Sequence, residues 1–217
     1  MTDDIKLANP AVLGLTCFGL TTVMLNIHNA GIIKMDPTIL GLGLFVGGLA
    51  QVIAGIMEFR KGNTFAMTAF LAYGTFWMSL VFWVMSGSYR FLAVLKAAGF
   101  QPGAKGLAWY LLLCGIFTLL MFIGTLRINL VLEFIFGTLF VLFILLAIGF
   151  GWGNTAILKT AGVVVIITGA AAIYLAAAEN LEEIYGKTIF PFWPYKADNG
   201  NYKATPEEDL YGLKESD

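Results

Sequence analysis

Side chains that could do chemistry are few in this chain, and nearly all of them interrupt long apolar runs. Asn9 opens an Asn-Pro-Ala tripeptide, Thr22 and Gln51 lie inside uncharged stretches, and Tyr73 stands among small and aromatic residues. Glu58, Glu133 and Glu179 fall at the ends of such stretches, as does His28, the one histidine. Amides, hydroxyls and a phenol offer uncharged hydrogen bonds, the chemistry for holding or passing a small polar solute. The marks of an intramembrane enzyme are missing, since the sequence has no H-E-x-x-H, no paired mid-span aspartates and no Ser/His dyad. Cys17 and Cys114 form no C-x-x-C pair, so neither a disulfide framework nor a metal site is indicated, and no cofactor is expected.

The elements that must position these residues are set by composition. Of 217 residues, 59% are hydrophobic and 12% charged, against about 25% charged in a soluble domain. Uncharged windows run over 7–33, 37–57, 62–89, 106–126, 134–158 and 160–178, each near or above the roughly 20 residues that cross a hydrocarbon core as a helix. This predicts six transmembrane helices at about 11–28, 38–57, 65–86, 107–126, 131–149 and 160–178. Runs of this length do not alternate apolar and polar, which excludes barrel strands. The leader "MTDDIK" is acidic, unlike a cleaved signal peptide. A net charge of −1 gives no reason to expect a nucleic-acid partner.

The segments on the side of the two termini carry eight Lys/Arg and the opposite side five, so the positive-inside bias places both termini in the cytoplasm. Segment 87–106 could hold a small interfacial helix ended by Gln101-Pro102-Gly103, and "IFPFWPY" (189–195) suits an aromatic belt at the membrane surface. The expected organisation is a transmembrane domain over 1–195 and a flexible polar tail over 196–217.

Aquaporins use two Asn-Pro-Ala motifs on half-helices. Here the motif occurs once, at the start of a full span, and Asn154-Thr155-Ala156 lacks the proline. Asn9 as N-cap and Pro10 as first helical residue explain the tripeptide as a helix start, and Asp36-Pro37 repeats it. The functional alternative is that the helix N-terminus offers free N–H groups to an anion at a pore mouth.

Read at greater length, "NPAVLGL" (9–15) resembles the N-P-A-P-L-G-L signature of the acetate uptake transporter family, which includes the bacterial succinate–acetate permeases. "GGLAQVIAGIMEFRKGNTF" (47–65), "YGTFW" (73–77), "FTLLMFIGTL" (117–126) and "GAAAIYLAAAE" (169–179) are similar to that family in order and spacing, over roughly residues 6–190. Val12 departs from the pattern where a second proline is usual, and nothing is carried over to the tail. The resemblance implies an all-α integral membrane protein with six transmembrane helices per subunit around a narrow central pore, in a homohexamer. It implies a constriction at Phe18, Tyr73 and Leu139, and that side-chain size at Leu139 and Ala172 tunes which carboxylates pass.

Helical phase gives an independent check. Phe18 shares a face with Ala11, Gly14, Thr22 and Asn29; Tyr73 with Ala66, Ala69 and Trp77; Ala172 with Thr168, Gly169, Ala176 and Glu179. Apart from the rings Phe18, Tyr73 and Trp77 and the side chain of Glu179 at a span end, these faces are small or polar. Around Leu139 lie Leu132, Ile135, Leu142 and Phe143, a greasy stripe that could equally face lipid or a neighbouring subunit, so Leu139 rests on the resemblance alone. Small stripes also serve close helix packing, as at Gly43-x-x-x-Gly47. Gln51, on a stripe with Gly48 and Gly55, must face protein or water, and either interhelical bonding or pore lining satisfies that. His28 reads as a capping or solvated residue, with a proton relay as the other possibility. The three glutamates, at span ends, can reach headgroups or water.

No charged residue lies at the midplane of a span, where a buried carboxylate relay would need one. With Phe18, Tyr73, Leu139 and Ala172 taken from what the resemblance implies and the polar Asn9, Thr22 and Gln51 added from the residues themselves, the expected substrate-contacting set is Asn9, Phe18, Thr22, Gln51, Tyr73, Leu139 and Ala172. The expected function is plasma-membrane passage of acetate and related small monocarboxylates, with succinate a further candidate. The permeant crosses either as an anion passed between polar donors or as a neutral acid. A structural or signalling membrane protein is the rival reading.

Overall fold

The computed structural model describes residues 8–88, 93–100 and 103–195. The tail expected over 196–217 lies outside the described residues. Among those described, seven helices occur and no strand: α1 (Pro10–Asn29), α2 (Pro37–Arg60), α3 (Thr64–Ser88), the short α4 (Ala93–Ala97), α5 (Ala104–Thr125), α6 (Leu130–Trp152) and α7 (Thr155–Tyr185). All but α4 are long and apolar enough to cross a membrane, as the uncharged windows predicted.

Polar residues fix the helix ends. Asn9 Oδ1 accepts from Ala11 N (3.3 Å), Asp36 Oδ1 from Thr38 N (2.7 Å) and Asn129 Oδ1 from Leu132 N (2.7 Å). Asn154, set aside as a second pore motif, caps α7 by accepting from Ala156 N and Ile157 N at 3.0 and 3.2 Å. Each satisfies backbone donors that would otherwise be orphaned in a medium without water. Gly153 and Gly186, both at φ +66°, end α6 and α7 in the left-handed region that favours glycine.

Three expectations need adjustment. Helix α7 has 31 residues, about 46 Å at 1.5 Å per residue; it starts before Lys159 and continues past Glu179, because Asn154 supplies an earlier cap and Gly186 a later stop. A short helix does occur in this segment, but it ends at Ala97 with Gly99 at φ +86°, ahead of the Gln-Pro-Gly expected to stop it. Third, α2 is not uniformly α-helical. Leu42–Ala50 forms a π-helix whose wider turn shifts the phase of its glycines.

Glycines set how closely the helices meet. A methyl group on Gly19 would lie 2.7 Å from the carbonyl oxygen of Gly169, and one on Gly169 would lie 2.9 Å from that of Gly19. At the other end of the same antiparallel pair, a methyl on Gly162 would fall 2.6 Å from Ala30 N. The Gly43–Gly47 stripe does not present a single face: Gly43 abuts Val81 of α3, whereas Gly47 abuts Thr21 of α1. Both contacts lie within one chain. Gly47→Ala should therefore destabilise the monomer fold by about 1–3 kcal/mol through overpacking against Thr21, read as a lowered thermal midpoint in detergent; an unchanged midpoint would mean that α1 moves aside freely.

Candidate functional site

Two cavities lie in line inside the helix bundle. The larger, about 300 Å³, is bounded by the first turns of α1, the middle of α2, the start of α3, Ile128 and Asn129, the first half of α6 and Glu179 of α7. The smaller, about 30 Å³, is bounded by Thr22, Asn26 and Asn29 of α1, by Trp77 of α3 and by Phe143 and Leu146 of α6. That is room for one water. Phe18, Tyr73 and Leu139 border both cavities, so three side chains from three helices separate them. The Phe18 and Tyr73 ring centroids are 6.1 Å apart.

Leu139 reaches this position because the greasy stripe of α6 faces inward: Leu132, Ile135, Leu139, Leu142 and Phe143 are all buried. The alternative of a lipid-facing or subunit-facing stripe does not hold for this face. Helix α6 is apolar on every side, so periodicity could not say which side turns in.

Both cavities are bordered by unpaired polar atoms. Gln51 Oε1 has no hydrogen-bond partner although the residue is 1% exposed and lines the larger cavity. Beside the smaller cavity, Thr22 Oγ1 and Trp77 Nε1 are likewise without partners. Buried polar atoms are normally satisfied, so atoms left open toward a cavity are free for water or solute. The glycines once grouped with Gln51 do something else: Gly48 and Gly55 pack against Met78 and Leu71 of α3. The narrow point contrasts with both compartments. Its one polar group, the Tyr73 hydroxyl, is already bonded to Thr118 Oγ1 at 2.9 Å.

The glutamates are less exposed than expected at span ends. Glu58 is fully buried; Glu179 lines the larger cavity and accepts from Asn9 Nδ2 at 3.0 Å. Glu179 is drawn inward because α7 continues past it to Tyr185, whereas Glu58 lies in the last turn of α2. Glu133 keeps to the surface, where it accepts from the Tyr195 hydroxyl and thereby pushes that phenol above its ordinary pKa. His28 Nδ1 donates to Ile33 O at 3.1 Å, a loop-fixing bond that matches its capping reading.

Around the larger cavity's mouth, Asn9 does more than cap. Its Oδ1 also accepts from Lys61 Nζ at 2.9 Å, so one amide ties α1 to the end of α2 and to α7. The segment after α7 folds back there: Leu130 N donates to Trp193 O (3.1 Å), Tyr195 N to Ile128 O (3.0 Å) and the Tyr174 hydroxyl to Pro191 O (2.7 Å). Asn9 thus stands behind the cavity lining rather than in it, and Ala172, though fully buried, borders neither cavity. Sequence reading missed the open indole N–H of Trp77, which it had noted only as a face partner of Tyr73, and it missed Thr118 altogether.

The chain matches the GPR1/FUN34/yaaH family over residues 1–191. It is 50% identical over 186 residues to the succinate-acetate/proton symporter SatP of Escherichia coli strain K12, covering 86% of this chain and 95% of that one. It is 34% identical to acetate permease A of Emericella nidulans over 183 residues, 80% of this chain and 61% of the relative. A solved structure of the bacterial acetate channel SatP superposes with a TM-score of 0.80 at 49% identity, covering 86% of this chain and 99% of that one.

Asn9→Ala should cost about 0.5–2 kcal/mol from the cap alone. Asn9→Ser keeps a capping oxygen but is too short to bond Glu179 and Lys61, so its thermal midpoint in detergent should fall between Ala and wild type. Full recovery by Ser would show that the links to α2 and α7 contribute nothing.

Proposed function

Because the chain belongs to the GPR1/FUN34/yaaH family, we propose that it carries acetate and related small monocarboxylates across the membrane, through a passage whose narrowest point is Phe18, Tyr73 and Leu139. One observation carries this reading: those three side chains are shared by two cavities that lie in line through the bundle. Transport without catalysis fits the residues at hand, and relatives described as a symporter, a permease and a channel support it.

The form of the permeant follows from the chemistry of the narrow point. A carboxylate that sheds its water needs replacement donors, and leaving an ion unpaired in an apolar passage is prohibitive. Phe18 and Leu139 have no donor, and the Tyr73 hydroxyl is bonded to Thr118. A neutral carboxylic acid avoids that penalty and its O–H can bond Gln51 Oε1, which lacks a partner. We therefore assign passage to the neutral acid, held in the larger cavity where Gln51 Oε1 is open. The proton then travels with the substrate, as in the E. coli relative described as a proton symporter.

The unit is the transmembrane domain over 1–195, with 196–217 as a cytoplasmic tail, in a plasma-membrane homohexamer with both termini inside. The resemblance and the distribution of Lys and Arg support these assignments. Gln51 and Thr22 contact solute on either side of the narrow point. Asn9 shapes the mouth, and Ala172 acts on pore width through the packing of α7 against α1.

Two outcomes test the proposal in proteoliposomes, after subtraction of empty vesicles. Carboxyl groups with a pKa of about 4–5 are neutral to a few parts per thousand at pH 7, so lowering the pH to 6 at fixed total acetate should raise initial uptake about tenfold. A pH-independent acetate current would overturn the neutral-acid route, and no uptake by folded protein would sink transport itself. If width selects, Phe18→Ala and Leu139→Ala should admit butyrate while acetate still passes, because truncation removes a clash; an unchanged size cutoff in both would place the filter elsewhere.

A further inference from the structure

Helix α5 contributes no side chain to either cavity, yet one of its residues touches the narrow point from behind. Thr118 is fully buried in the middle of α5, and its Oγ1 lies 2.9 Å from the Tyr73 hydroxyl. It also lies 2.7 Å from the carbonyl oxygen of Cys114, one turn earlier on the same helix. A carbonyl can only accept, so the single hydroxyl hydrogen of Thr118 is spent on Cys114. The contact with Tyr73 therefore has one direction: the phenol donates and Thr118 accepts.

We propose that Thr118 is a positioning residue for transport, holding the Tyr73 ring at the width that excludes longer carboxylates and keeping its phenolic hydrogen away from the passage. The inference rests on the proposed role of Tyr73 at the narrow point. Rings surround Tyr73 on its other sides, with centroid distances of 6.1 Å to Phe18, 5.7 Å to Phe117, 5.9 Å to Phe136 and 6.5 Å to Phe143. None of these offers an acceptor as good as a hydroxyl oxygen. A buried phenol without its partner is costly to keep in place, so Tyr73 denied Thr118 turns its hydroxyl toward polar atoms in the cavities and draws its ring out of the gap. The back-bond from Thr118 to Cys114 makes the acceptor rigid, since it holds the threonine in one rotamer against its own helix. Tyr73 is in this way anchored to the backbone of a helix that the solute never meets.

Valine has nearly the shape of threonine and lacks the hydroxyl, whereas serine keeps it, so Thr118→Val and Thr118→Ser separate hydrogen bonding from packing. In proteoliposomes, Thr118→Val should raise the butyrate-to-acetate uptake ratio about three- to tenfold, the size expected for losing one buried hydrogen bond, and Thr118→Ser should return it to near the wild-type ratio. In a Tyr73→Phe background, where no phenol remains to be held, Thr118→Val should add nothing. An unchanged ratio in Thr118→Val, or an equal effect in the Tyr73→Phe background, would overturn the proposal.

A second measurement needs no transport. In protein labelled at the tyrosine ring carbon bearing oxygen, the Tyr73 resonance is the one lost in Tyr73→Phe. It should shift in Thr118→Val and stay in place in Thr118→Ser; a resonance unmoved by Thr118→Val would refute the hydrogen bond. Wild-type vesicles that carry no acetate would defeat the transport reading, while this resonance would still decide whether Thr118 holds Tyr73.

Discussion

The contact on which the other helices depend is the backbone approach of α1 and α7 at Gly19 and Gly169. Between helices in lipid no water is released to drive association, so close packing of small residues must supply the attraction. Neither glycine tolerates a methyl group without meeting the other's carbonyl oxygen. This contact fixes the pair as antiparallel and brings Asn9 to Glu179 at one end and Ala30 to Gly162 at the other. It also aims Phe18. The residue before Gly19 is turned about 100° from it on the helix, so seating Gly19 on α7 swings the Phe18 ring toward Tyr73 and Leu139.

Along the proposed passage, open polar atoms lie on either side of the narrow point and none lies at it. Gln51 and Thr22 keep an oxygen without a partner where there is space for water or solute, and Trp77 keeps an open N–H. At the narrow point nothing is open, because Thr118 takes the only hydroxyl hydrogen. Such an arrangement selects by what must be given up. On the proposed route, a solute that fits and can shed its water enters, whereas a charged group meets rings and a leucine with no donor to replace its hydration. Open donors at the narrowest point would favour binding over release. On the proposed route, the larger cavity holds a solute weakly enough to pass it on, and the smaller one offers further polar atoms beyond the narrow point.

How much of this could be read from the residues differs by helix. The six spans were legible because charges punctuate the apolar runs, and the caps Asn9 and Asp36 were legible because Asn-Pro and Asp-Pro start helices by local chemistry. The inward face of α3 was legible because Tyr73 interrupts a small stripe. The inward face of α6 was not, since a helix apolar on all sides carries no direction; Leu139 came from the resemblance alone. Glu58 and Glu179 looked like surface carboxylates because their helices were expected to stop near them. Caps at Asn154 and Gly186 lengthen α7 beyond its apolar window. Thr118 could not be found at all. Its role is a distance between two helices 45 residues apart in sequence, and it looks like any threonine in a membrane helix.

The π-helical stretch of α2 explains why glycine spacing misled there. On an α-helix, residues four apart share a face, so Gly43 and Gly47 would serve one neighbour. With bonds reaching five residues ahead the turn is wider, so Gly48 comes nearer the face of Gly43 than a regular α-helix would place it. Gly43 and Gly48 both pack on α3, against Val81 and Met78, while Gly47 turns to α1 and meets Thr21. One helix therefore packs closely on two partners at nearly the same level, which a regular turn would not allow. The segment ends at Ala50, and regular α-helix resumes with Gln51. The glycines hold α2 against both neighbours, and the first side chain after them carries its free carbonyl oxygen to the larger cavity. A straight α-helix through Leu42–Ala50 would change the phase of everything after it and turn that oxygen away from the larger cavity.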